Sequence, residues 1–136
     1  MSATDTQTSR PIDIQTLAVK GAVAVVLSAL ANATLLWAVL ATDIVEPFMA
    51  LSYPPVLFLT VVGAIGATVI YGVLTRRIGD PDRTFERLAA VVLVVSFVPD
   101  LGILAFDEAA TVGAVAVLMV MHVTVAAVCV AVLTRL

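Results

Sequence analysis

The sequence predicts an all-α membrane protein, a bundle of four antiparallel transmembrane helices in up-down order. Three observations carry this. The 136 residues are 62% hydrophobic and only 12% charged, whereas a soluble domain is about half apolar and about a quarter charged. The apolar residues fall into four blocks, each long enough to cross a hydrocarbon layer of ~30 Å. All seven basic residues fall on one side of those blocks: Arg10 and Lys20 before the first, Arg76, Arg77, Arg83 and Arg87 between the second and third, and Arg135 at the end. The two opposite connections hold Asp43, Glu46, Asp107 and Glu108 and no base. Lys and Arg in short loops mark the cytoplasmic side. Both termini are therefore expected in the cytoplasm, and the protein is expected as a multi-pass protein of the cell membrane.

Taken in order, residues 1–12 read as a disordered tail, Ser/Thr-rich and without apolar periodicity. Residues 13–136 form the single four-helix domain. Asp13 is placed to favour the start of the first helix, whose span covers about 19–41. The apolar run continues through Trp37 and Leu40, past two small-residue sites that resemble signal cleavage sites. That makes it longer than a signal h-region and favours a retained span. The connection that follows carries an apolar patch, Phe48-Met49-Ala50-Leu51, expected to pack on the helix ends. Pro54-Pro55 opens the second span, about 54–75, because proline is tolerated in a first helical turn. Gly63, Gly66 and Ala67 give this span a small-residue face suited to close helix packing. Gly79-Asp80-Pro81-Asp82 is a turn, with Asp82 or Thr84 expected to cap the third helix. The arginines around it read as topology determinants, because acids are interleaved with them and the segment joins two spans. The third span, about 84–105, contains Ser96, Pro99 and Asp100. A tight acidic turn leads to the fourth, about 109–134, which carries His122.

At a rise of ~1.5 Å per residue, Asn32, Ser96 and His122 lie at similar depth, with Asp100 one turn from Ser96 toward the acidic-loop side. Polar groups in hydrocarbon are costly unless paired. These four residues are therefore expected to meet inside the bundle, either as bonds between helices or as a site for a proton, an ion or a small polar ligand. Pro99 adds a carbonyl freed about one turn earlier, near Val95. One histidine and one cysteine, Cys129, supply no metal set, haem pair or CxxC motif. No Gly-rich phosphate loop or hydrolase elbow occurs. No catalytic residue, cofactor or nucleic-acid partner is indicated. The expected partners are the lipid bilayer and a second copy or a larger membrane complex.

Several short motifs recur in a known pattern: Thr75-Arg76-Arg77, Arg83-Thr84-Phe85, Ser96-Phe97-Val98-Pro99-Asp100, Ala110-Thr111 and Met121-His122-Val123. Over roughly residues 15–136 the chain resembles the domain of unknown function 6069 family, small prokaryotic membrane proteins with four spans. The resemblance implies the fold and supplies no substrate. The leading functional expectation is a structural or interaction bundle. The alternative is a small transporter or proton/ion-conducting protein using Asn32, Asp100 and His122. A third is a membrane enzyme acting on a lipid-soluble substrate such as a quinone.

Overall fold

The computed structural model describes residues 11–46 and 48–136; the expected tail, apart from Pro11 and Ile12, lies outside them. Among the described residues there are four helices and no strand: α1 (Ile14–Thr42), α2 (Tyr53–Arg77), α3 (Pro81–Phe106) and α4 (Val112–Arg135). All four are long and apolar enough to cross a membrane. Helices are the natural outcome for such runs, since each satisfies its own backbone groups where no water is available.

The helix ends follow local chemistry. Asp13 stands at the N-cap of α1, yet its side chain makes no capping bond. At the other end of α1, Asp43 takes the left-handed conformation, φ 51°, that commonly stops a helix. Pro54 and Pro55 sit in the first turn of α2. Asp80, rather than Asp82 or Thr84, caps α3, its carboxylate accepting from the Arg83 N–H at 3.4 Å. Pro81 in the first position leaves the preceding residue as the cap. α4 begins at Val112, where the Thr111 hydroxyl accepts from the Ala114 N–H at 3.1 Å. Asp107 instead closes the preceding turn, accepting from the Ala109 N–H at 2.9 Å.

α1 packs between α2 and α4. α3 leans on α4, more thinly on α2, and shares no contact with α1 among the described residues. Leu36, Val39, Phe48, Leu51, Val56, Ala114, Leu118 and Met121 form one apolar cluster. Phe48 and Leu51 belong to it and Ala50 packs against it, while Met49 stays exposed, so the apolar patch of the first connection packs on the helix ends in part. Ala24, Ala64, Tyr71, Phe85, Cys129, Val132 and Leu133 form the second, toward the basic end. Long-range contacts tie that end together. Lys20 donates to the Leu133 carbonyl at 3.3 Å, Arg76 to that of Ile12 at 3.4 Å, and Arg135 pairs with Glu86 at 3.3 Å. The Tyr71 hydroxyl donates to Asp82 at 2.5 Å, and its ring meets Phe85 edge-on at 5.3 Å. Large apolar side chains such as Val19, Leu30, Phe58, Leu59, Val94 and Val98 face outward. A soluble surface does not tolerate so much; the surface suits lipid.

Candidate functional site

The polar residues inside the bundle form two pairs. On α1, Asn32 is 1% exposed and its Nδ2 donates to the Thr60 hydroxyl of α2 at 2.9 Å. Thr60 is buried as well and passes its own proton to the Val56 carbonyl at 2.6 Å. This chain of bonds fixes the orientation of the amide. The Thr60 hydroxyl has one proton, already committed, so its oxygen can only accept. Asn32 Oδ1 therefore points away from Thr60, and it has no partner among the described residues. Ser28, one turn earlier on α1, is fully buried, and its hydroxyl likewise has no hydrogen-bond partner there.

The second pair joins α3 to α4. His122 Nδ1 lies 2.9 Å from Asp100 Oδ2. The Asp100 side chain is 5% exposed and the His122 side chain 37%. Both contacting atoms are buried; the contact has the distance of an ion pair, and neither atom makes a hydrogen bond of good geometry among the described residues. Asp100 and Phe85 are the two buried residues of α3, so the carboxyl holds an otherwise peripheral helix. Ser96 does not join the pair. It is half-buried and donates to the Leu93 carbonyl of its own helix at 2.6 Å.

Both pairs border one groove of about 500 Å³ between α2, α3 and α4, with Asn32 of α1 also lining it. Its polar side chains are Asn32, Thr60, Ser96 and His122; apolar residues such as Val56, Leu93, Met121 and Val125 make most of the remaining wall. Leu59, Val62 and Ile70 of α2 and Val92 of α3 line the groove and are also exposed on the outside of the bundle. The groove therefore opens sideways between α2 and α3, the two helices that pack thinly. Tyr71, Phe85 and Asp82 join those helices at the basic end.

The small residues of α2 take a different place from the one their spacing suggests. Gly63 and Gly66 line the groove. A Cβ on Gly66 would meet nothing within 4 Å, and one on Gly63 would meet only Val125 Cγ1 at 4.0 Å. Ala67 lines the groove too and packs against the second apolar cluster. The close approach of α1 to α2 is made by Gly21, where a Cβ would fall 2.6 Å from Thr68 Cγ2, and by Gly72, against Leu17.

With the geometry in view, comparison with known families decides one matter. A family model described as "Family of unknown function (DUF6069)" matches residues 12–136. The chain belongs to that family. No curated protein and no solved structure matches it.

For this DUF6069 member three of the four residues expected to meet divide between two pairs, and the fourth, Ser96, bonds within its own helix. Asp100 and His122 pair with each other. Asn32 pairs with Thr60, which sequence reasoning did not single out. A threonine in an apolar helix bonds its own preceding turn so readily that it gives no signal of facing a partner. Of the topology determinants, Arg76 donates to the Gly72 carbonyl at 2.8 Å, while Arg77, Arg83 and Arg87 have exposed positions. Among the described residues no three His, Cys, Asp or Glu come close enough to hold a metal ion.

Proposed function

We propose that this protein of the cell membrane holds one lipid-like molecule, apolar for most of its length with one polar end, in the groove between α2, α3 and α4. The observation that carries the reading is the groove itself. Its walls are mostly apolar, it opens sideways between α2 and α3, and its few polar side chains are Asn32, Thr60, Ser96 and His122. Ligand sites share that composition: mostly apolar lining with a few polar groups that fix orientation. The one-sided distribution of Lys and Arg supports cytoplasmic termini and, on that reading, a cytoplasmic Tyr71–Asp82 closure. Native mass spectrometry of protein extracted in a mild detergent tests the proposal. The expected result is a retained lipid-sized adduct that Gly66→Leu removes, since a leucine there grows into open groove while the fold stays intact. A folded Gly66→Leu protein with the same adduct would refute it.

Proton or ion movement is the second reading, and the Asp100–His122 pair favours it. Ionisable groups within spans are rare and commonly serve pathways. Proton flux into liposomes that is lost in a folded Asp100→Asn variant would support this reading over the first. Association with a second copy or a larger membrane complex draws support from the broad outward apolar faces, and crosslinking in native membranes measures it.

A further inference from the structure

We infer that the polar end of the molecule held in this groove is an uncharged hydroxyl that donates its proton to Asn32 Oδ1. The inference rests on the groove reading above and goes on to name the head chemistry. It follows from which hydrogen-bonding capacity the groove has left. The Thr60 hydroxyl donates to the Val56 carbonyl and the Ser96 hydroxyl to the Leu93 carbonyl. Both hydroxyl protons in the lining are therefore committed within their own helices. The imidazole Nδ1 of His122 faces Asp100 Oδ2 at 2.9 Å. Among the described residues the buried amide oxygen Asn32 Oδ1, on a side chain that is 99% buried and lines the groove, is an acceptor with no partner at all; the same amide keeps its second Nδ2 proton and His122 keeps Nε2, so a head group that both donates and accepts is matched. A buried acceptor in a low-dielectric site gains most from a ligand that brings a proton.

Charge narrows the head further. Among the described residues no Lys or Arg lines the groove. A carboxylate or phosphate head would bring acceptors to an acceptor, lose its hydration and find no countercharge. An ammonium head would donate, but it would have to shed the hydration of a full charge against groove walls that are mostly apolar. A hydroxyl donates one proton, carries no charge and still accepts at its own oxygen.

The test uses three probes sharing one saturated chain: hexadecanol, hexadecyl methyl ether and hexadecanoate. Each is titrated into the full protein in lipid nanodiscs at neutral pH, with bound probe counted by native mass spectrometry. The expected result is that the alcohol binds roughly tenfold tighter than the ether, the worth of one recovered hydrogen bond, and tighter than the carboxylate. Asn32→Leu should remove the alcohol's advantage while leaving ether binding in place. Equal binding of alcohol and ether by the unmodified protein, or a preference for the carboxylate, overturns the head assignment and leaves the groove standing. Binding of all three no better than to a folded Gly66→Leu protein overturns the groove reading itself. The alcohol–ether comparison needs no variant, so the inference stays exposed to refutation even where Asn32→Leu fails to fold.

Discussion

Gly21→Ala isolates the tightest helix contact of the bundle. The added Cβ would lie 2.6 Å from Thr68 Cγ2, 3.0 Å from Thr68 Oγ1 and 3.3 Å from Thr68 Cβ. Threonine is stiff at χ1, and this one is held further by its bond to the Ala64 carbonyl at 2.8 Å. The ring of short contacts therefore cannot be relieved by swinging a flexible tip, and α1 must move away from α2. Overpacking of this kind costs ~1–3 kcal/mol. Gly66→Ala is the matched control, because it makes the same change in helix propensity at a site with nothing within 4 Å. The difference between the two variants should be the steric cost, and Thr68→Ala in the Gly21→Ala background should recover most of it. Cys129 offers the readout, being the one cysteine of the chain and 3% exposed. Its rate of labelling by a thiol reagent along an SDS titration reports opening of the bundle, about tenfold for each 1.4 kcal/mol. Equal labelling rates for Gly21→Ala and Gly66→Ala, or a worse effect at Gly66, would refute the packing argument.

Reporter fusions after Arg10 and after Leu136 should both report cytoplasm; an external signal from either end would overturn the charge-based orientation. Replacing Asp100 and His122 by leucine, singly and together, should give a coupling of ~1 kcal/mol in SDS unfolding, near the range measured for polar pairs between membrane helices, and strictly additive losses would show that the 2.9 Å contact carries no energy. Tyr71→Phe removes the donor to Asp82 and should cost about 0.5–1.5 kcal/mol, with labelling of Cys129 again the measure.

The four spans were legible because block length and charge placement survive any error in detail. Depth was legible too. Counting at a fixed rise placed Asn32 and His122 near mid-span, and both lie about ten residues, about 15 Å, from the acidic-loop ends of their helices. Rotation was not legible. A helix apolar on every side has no preferred inward direction in its sequence, because lipid and core ask for the same side chains. The spacing of Gly63, Gly66 and Ala67 therefore suggested close packing of a face that in fact borders a groove, while Gly21 and Gly72 meet the neighbouring helix. The same blindness hid Thr60, whose partner depends on how α1 and α2 are turned toward each other. Asp80 could have been read as the cap from Pro81 alone.

The Asp100–His122 pair ties the fold to the proposed site. Among the described residues α3 buries two side chains, Phe85 near its start and Asp100 near its end, and makes no contact with α1. Apolar burial does little to hold it, since its valines meet lipid as well as they would meet protein. Its directional contacts lie at two levels: Tyr71 with Asp82 and Phe85, and Arg135 with Glu86, at the basic end, and Asp100 with His122 toward the acidic loops. Between those levels α3 stands off from α2, and there Val92 and Ser96 face Leu59, Gly63 and Gly66 across the groove. On the groove reading, the carboxyl–imidazole contact ties α3 to α4 at that depth and so limits how far α3 moves against α2. An apolar substitution of Asp100 should loosen α3 and let the groove change size, so stability and lipid retention should fall together. A variant lacking the pair that lost stability yet retained its lipid would show that α3 is positioned by something other than these two clamps.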